Sequence, residues 1–222
     1  MNNKIIFELK NGNGTFKKID YDNNILRFEG EYLNGKKNGK GKNYNYKGEL
    51  DFEGEYLNGE KWNGKGKDYG DLGRLIYEGE FLNGKYNGKG KEYDKFGRLI
   101  YEGEFLNGIW NGKGKKYDNG DLIFEGEFLN GIWNGKGKEY DNGDLIFEGV
   151  FLEGKKREGK GKEFDDNGNL IFEGEFLKGK KWEGDYQEYN SEGNMLFEGK
   201  YVKVKKKSTE EIESYSDGDL SQ

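Results

Sequence analysis

Apolar and polar residues alternate through most of this chain with a period of two, in short runs that repeat. In Ile123 to Leu129 the residues Phe124, Gly126 and Phe128 fall on one side and Glu125 and Glu127 on the other, as an extended strand requires. The next run, Gly135 to Tyr140, places Gly135 and Gly137 on one side and Lys136 and Lys138 on the other. The pattern predicts a hairpin closed through Asn130 to Asn134, with glutamates facing lysines and phenylalanine rings lying over glycines. A strand glycine normally weakens a sheet; here it leaves room for a ring to lie flat on the backbone. Asn-Gly and Asp-Asn-Gly at the strand ends supply the positive φ angles of tight turns.

The unit recurs. The triplet Phe/Tyr-Glu-Gly starts at Phe28, Phe52, Tyr77, Tyr101, Phe124, Phe147, Phe172 and Phe197, at spacings of 23 to 25 residues. From each of the first seven aromatic residues to the following turn glycine the length is constant. Length varies only between that glycine and the next (Gly108 to Gly112, but Gly59 to Gly64) and around the Asp/Gly-rich join. Constant segments joined by elastic ones read as strands and turns.

Aromatic-Glu-Gly-Glu-aromatic, then Asn-Gly, then Asn-Gly-Lys-Gly-Lys, as in Tyr101 to Lys115, resembles the MORN repeat. The resemblance covers about residues 28 to 203 and implies an all-β fold: an elongated, single-layer antiparallel sheet of tandem hairpins, one per repeat. Asn119 to Gly131 is also similar to the bacterial MORN variant, some members of which are labelled antitoxin components; that likeness implies a partner in toxin neutralisation. Residues 1 to 27 read as a degenerate N-terminal capping repeat, 28 to 203 as about eight repeats with the last one truncated, and 204 to 222 as a charged tail or a short capping helix begun by the box Ser208 to Glu211.

Composition sharpens this. Hydrophobic residues make up 32% and charged residues 36%, a balance that by itself suits a disordered chain, but 16% aromatic content can hold a fold together. The net charge is −6 with both signs finely mixed, which excludes the clustered basic face of a nucleic-acid binder. No apolar run reaches membrane-spanning length and the N-terminus has no signal-peptide core, so a cytoplasmic protein is expected.

Apparent chemical motifs dissolve on inspection. Gly59 to Lys65 and Gly154 to Lys160 imitate a phosphate loop, but glycine replaces the Ser or Thr and no helix follows. Glu163, Asp165, Asn167, Gly168 and Leu170 imitate a calcium loop whose closing Glu is Gly174. Glutamate pairs such as Glu102 and Glu104 recur in nearly every unit opposite lysines, the mark of a solvated face and not of one catalytic pair. With no His and no Cys, nucleophilic catalysis has no candidate, so no catalytic residue, metal site or cofactor is expected.

One position stands out. Two places before the second turn glycine come Lys37, Trp62, Tyr86, Trp110, Trp133, Arg157 and Trp182, so that all four tryptophans share a slot. Either each ring folds over its own hairpin to close the aromatic layer, or the row forms a partner-binding ridge along one edge, with Trp62, Tyr86, Trp110, Trp133, Arg157 and Trp182 as contacts. The function expected is a non-enzymatic scaffold that docks another protein or a second copy of itself, a homodimer, through its exposed aromatic face or this ridge. A phospholipid-binding tether, the role often assigned to similar proteins, is disfavoured by the acidic balance and by lysines matched to glutamates. A carbohydrate platform on the tryptophans is a third reading.

Overall fold

The computed structural model describes residues 5–10, 12–20 and 24–203. Among them there are seventeen strands and no helix. They are β1 (Ile5–Lys10), β2 (Asn13–Ile19), β3 (Leu26–Leu33), β4 (Lys36–Tyr44), β5 (Leu50–Leu57), β6 (Glu60–Tyr69), β7 (Leu75–Leu82), β8 (Lys85–Tyr93) and β9 (Leu99–Leu106). They continue as β10 (Ile109–Asp118), β11 (Asp121–Leu129), β12 (Ile132–Asp141), β13 (Asp144–Leu152), β14 (Lys155–Phe164), β15 (Leu170–Leu177), β16 (Lys180–Tyr189) and β17 (Met195–Val202). Each pairs antiparallel with the next, from β1–β2 to β16–β17, so the chain forms one open sheet about 80 Å long at ~4.8 Å per strand. The proposed helix at Ser208 lies outside the described residues.

The hairpin turns are tighter than the sequence pattern suggests. Leu129 pairs with Ile132, so Asn130-Gly131 alone closes the hairpin, with φ of 51° and 81°. Two consecutive positive φ angles make the turn whose twist matches that of the flanking strands, which is why Asn-Gly recurs there. Residues 132 to 134 therefore belong to the strand and not to a loop.

One side of the sheet carries the core. Each hairpin contributes a first ring (Phe28, Phe52, Tyr77, Tyr101, Phe124, Phe147, Phe172) and a second (Tyr32, Tyr56, Phe81, Phe105, Phe128, Phe151, Phe176). First rings lie on the paired glycines: a Cβ on Gly137 would sit 2.4 Å from Phe124 Cζ. Second rings stand edge-on to them, as Phe128 does to Phe124 at 5.2 Å and 87° and to Tyr101 of the preceding hairpin at 5.2 Å and 89°. This herringbone links every hairpin to the next.

The aromatic side is not the exposed face that a single layer was expected to present. Phe124 is 0% and Phe128 3% exposed. Their cover is a third side chain per hairpin, described next.

Candidate functional site: a capped aromatic layer and a charged groove

Register decides what covers the rings. In β3–β4, β7–β8, β9–β10 and β11–β12 two extra residues bulge from the second strand, and the residue opposite the second ring is Lys37, Tyr86, Trp110 or Trp133. In β5–β6, β13–β14 and β15–β16 the two-residue turn is unchanged, but the run from its glycine to the next glycine is one residue longer and the bulge one residue smaller. There the residue opposite the second ring is Lys61, Lys156 or Lys181, and Trp62, Arg157 and Trp182 are the bulged residues. A one-residue insertion would flip every later side chain to the wrong face; the change of bulge absorbs it. The short hairpins need glycine at the bulge. Gly135 has φ 107° and carries the Glu127 carboxylate where a side chain would be.

The slot counted from the second glycine is thus two structural positions. Tyr86, Trp110 and Trp133 are half-buried and stack parallel on their own first rings, 3.7 Å from Tyr77, 4.6 Å from Tyr101 and 4.4 Å from Phe124, each at 5°. Trp62 is also half-buried, but its ring lies against Gly84 in the next turn. Arg157 is exposed and Trp182 half-buried. The equivalents of the stacked rings in the other hairpins are lysines: Lys37, which shares the counted slot, and Lys61, Lys156 and Lys181, which sequence reasoning did not single out. Lys37 sits 4.3 Å from the Phe28 centroid, Lys61 5.6 Å from Phe52, Lys156 5.2 Å from Phe147 and Lys181 5.2 Å from Phe172.

A row of polar residues holds these caps. Glu92 accepts the Trp110 Nε1–H at 2.6 Å, Lys156 meets Glu139 at 3.0 Å, Lys181 meets Glu163 at 2.7 Å and Lys61 meets Asp68 at 2.8 Å. Lys116 lies 5.9 Å and 5.7 Å from the Trp110 and Trp133 rings. Burial, reinforced by the charges of Lys18 and Lys61, holds the Lys37 ammonium below the usual lysine range. Burial pushes up the phenols of Tyr56, Tyr77, Tyr86 and Tyr101; for Tyr86 the Asp68 carboxylate adds to it.

The opposite side is a charge ladder. Lys42–Glu53 (2.9 Å), Lys91–Glu102 (3.4 Å), Lys115–Glu125 (3.7 Å), Lys138–Glu148 (3.5 Å) and Lys162–Glu173 (3.7 Å) each tie one hairpin to the next. Solvent screens exposed pairs of this kind, so the ladder sets register more than stability. Between its rows the glycines Gly66, Gly79, Gly90, Gly103, Gly114, Gly126, Gly137 and Gly149 pair in an unbroken line. They floor a groove, of which a stretch of about 800 Å³ lies over Gly66 to Gly103 between Glu78, Glu80, Lys89 and Lys91. Along the turn edge Leu33, Leu57, Leu82, Leu106, Leu129 and Leu152 are all exposed, and alternation puts them on this same side. Sequence reading missed that row. Its signal was there, a leucine directly before every turn where a polar residue would suffice.

The calcium-loop imitation is a turn. Asp165 Oδ2 accepts the Asn169 side-chain amide (2.9 Å) and its Oδ1 the backbone amides of Asn169 (2.8 Å) and Asn167 (2.9 Å), and these bonds, the side-chain one first, hold its carboxyl below the usual range. Both phosphate-loop imitations run into strands, β6 and β14. No helix among the described residues is long and apolar enough to cross a membrane.

A comparison with protein families matches the MORN repeat at residues 28–42, 77–95, 101–122 and 124–145. A comparison with curated proteins finds no match. The four matched segments begin at the four hairpins with the shorter run between glycines, so the longer hairpins depart from the family pattern where their register departs.

Proposed function

We propose, from the premise that this chain is a MORN-repeat protein, that it is a non-enzymatic scaffold which seats a segment of a partner protein lengthwise in its charged groove. MORN repeats are protein- or membrane-interaction modules. The observation that carries the reading is the glycine floor from Gly66 to Gly149, bordered on the turn edge by exposed leucines. The residues of this line direct their side-chain positions to the aromatic side, so only backbone floors the groove and another backbone can come close; the leucines offer apolar anchors, and a ladder of both signs favours a partner segment with mixed charges over one of a single sign. Tyr86, Trp110 and Trp133 serve packing, and Trp62 lines a hollow on the aromatic side with Lys61, Asp68 and Phe81, away from the groove.

A membrane tether is less well supported. The ladder lysines stand beside carboxylates, which leaves little unopposed positive charge for anionic lipid. The test joins Leu106→Glu with Leu129→Glu. Both sites are half exposed, at 49% and 51%, so the fold is expected to survive. The double variant should no longer co-purify the protein partner that the unaltered chain retains from extracts of its source. Undiminished capture by the folded double variant, or pelleting of the unaltered chain with anionic vesicles at moderate salt, would count against the proposal.

A further inference from the structure

β17 differs in charge from every other first strand. The seven from β3 to β15 read Glu-Gly-Glu, or Glu-Gly-Val in β13, whereas β17 reads Glu198-Gly199-Lys200. Inside the chain this inversion is answered by β16, where Asp185 replaces the usual lysine and meets Lys200 at 2.5 Å. Its consequence is at the other edge of β17, which has no partner among the described residues. Met195, Leu196, Phe197 and Val202 are exposed there, and Phe197 is 53% exposed where the corresponding rings of the array are 0 to 1%. The ring already lies over its glycine, Phe197 Cζ falling 2.7 Å from where a Cβ on Gly199 would stand, but no second strand caps it.

We infer that β17 pairs antiparallel with β17 of a second copy about a two-fold axis at Gly199, making a homodimer with one continuous sheet. In that register Glu198 faces Lys200 of the second copy and Lys200 faces its Glu198. Gly199 meets Gly199, Phe197 faces Tyr201, and Leu196 faces Val202. The glycine and the charged pairs repeat those of the interior, where Gly126 meets Gly137 and Glu125 meets Lys138, while the ring and aliphatic pairs belong to this edge alone. The axis stands perpendicular to the sheet, so both aromatic layers fall on one side. A Glu-Gly-Glu edge would place carboxylate against carboxylate and repel its own copy, which makes the single lysine decisive. This inference uses neither the groove nor the leucine row, so it stands or falls apart from the function proposed above.

The test is sedimentation of the full chain over a concentration series reaching about 1 mM, with Glu198→Lys and Lys200→Glu made separately. The unaltered chain should dimerise, more weakly at high salt. Each variant alone faces like charge with like and should dissociate about tenfold more readily or worse. Mixed, the two become complementary at both sites, and a heterodimer should form with close to the original affinity. A chain monomeric at every concentration, or variants that fail to associate on mixing although circular dichroism shows them folded, would overturn the proposal. So would species larger than dimer that persist in both variants, since those would place β17 against β1 of the next copy.

Discussion

The middle of the sheet and its flanks solve one packing problem with different chemistry. In β7–β8, β9–β10 and β11–β12 the first ring is covered by a parallel ring; in β3–β4, β5–β6, β13–β14 and β15–β16 it is covered by an ammonium. The two are interchangeable because the face of an aromatic ring is both apolar and electron-rich. They are not equivalent in energy. A stacked indole buries far more apolar area, whereas a lysine cap brings a charge that must be compensated, and three of the four have a carboxylate within 3.0 Å, at Asp68, Glu139 and Glu163. The centre is accordingly expected to be the most stable part of the sheet and the flanks the first to open.

The glycine floor under a stacked pair should be the most sensitive position. Gly137→Ala puts a methyl group against Phe124 Cζ and Cε2, at 2.4 and 2.7 Å, while Trp133 blocks retreat of the ring from above. A loss of about 3 kcal/mol in urea unfolding is expected. With Trp133→Ala also in place the ring can lift, so the double variant should cost clearly less than the sum of the two singles. Strict additivity would mean that the cap does not confine the ring.

Truncating the caps compares the two chemistries directly. Trp133→Ala should cost about 2–3 kcal/mol, through lost stacking on Phe124 and lost edge contact with Phe151. Lys156→Ala, which removes a partly screened ion pair and a cation above Phe147, should cost about 1 kcal/mol. Equal losses would erase the distinction between centre and flank.

Alkali should find the same boundary. Phenols whose folded pKa is raised above the unfolded value of about 10 contribute stability that is intact below pH 10 and is lost as pH rises, because only the unfolded chain then releases the proton. Tyr77, Tyr86 and Tyr101 lie in the centre and Tyr56 in the N-terminal flank, so the boundary that alkali finds is the C-terminal one, where the first rings of β13 and β15 are Phe147 and Phe172, which do not titrate. Lys37 works in the opposite direction, since its depressed pKa makes stability rise with pH in the window below the unfolded lysine value. One lysine does not offset several phenols. Stability should be flat near neutrality and fall above pH 10, and Tyr77→Phe should reduce the slope by about 1.4 kcal/mol per pH unit. An unchanged slope would show that Tyr77 is not held protonated.

The faces of the sheet were legible in the sequence because alternation is a property of the backbone. That rings lie over glycines and glutamates face lysines follows from period and turn, but the individual partners do not: an unbulged strand would set Glu125 against Lys136, and the bulge sets it against Lys138. The caps were not legible. Counting back from Gly64 or Gly135 assumes one register for all hairpins, and a bulge changes register without changing the motif. Lys61 and Lys156 look, in sequence, like any other lysine of a charged face; only the pairing with Tyr56 and Phe151 turns them towards the rings. The charge inversion at Lys200 was visible as a letter, but its meaning depends on β17 having an open edge.

The smallest expected effect tests that distinction most narrowly. Trp62 and Trp133 are the same residue in the same counted slot, yet one is the extra residue of a bulge and the other a cap opposite a core ring. Trp62→Ala should therefore cost about 1 kcal/mol or less, a fraction of the loss at Trp133, because the Phe52 ring keeps its Lys61 cover. Fluorescence supplies an independent readout. In single-tryptophan variants made by Trp→Phe at the other three sites, acrylamide should quench Trp62 more readily than Trp133, whose indole lies flat on Phe124. Matching quenching and matching losses of stability would mean that the longer run between glycines shifts the register on paper without moving the indole off the aromatic layer.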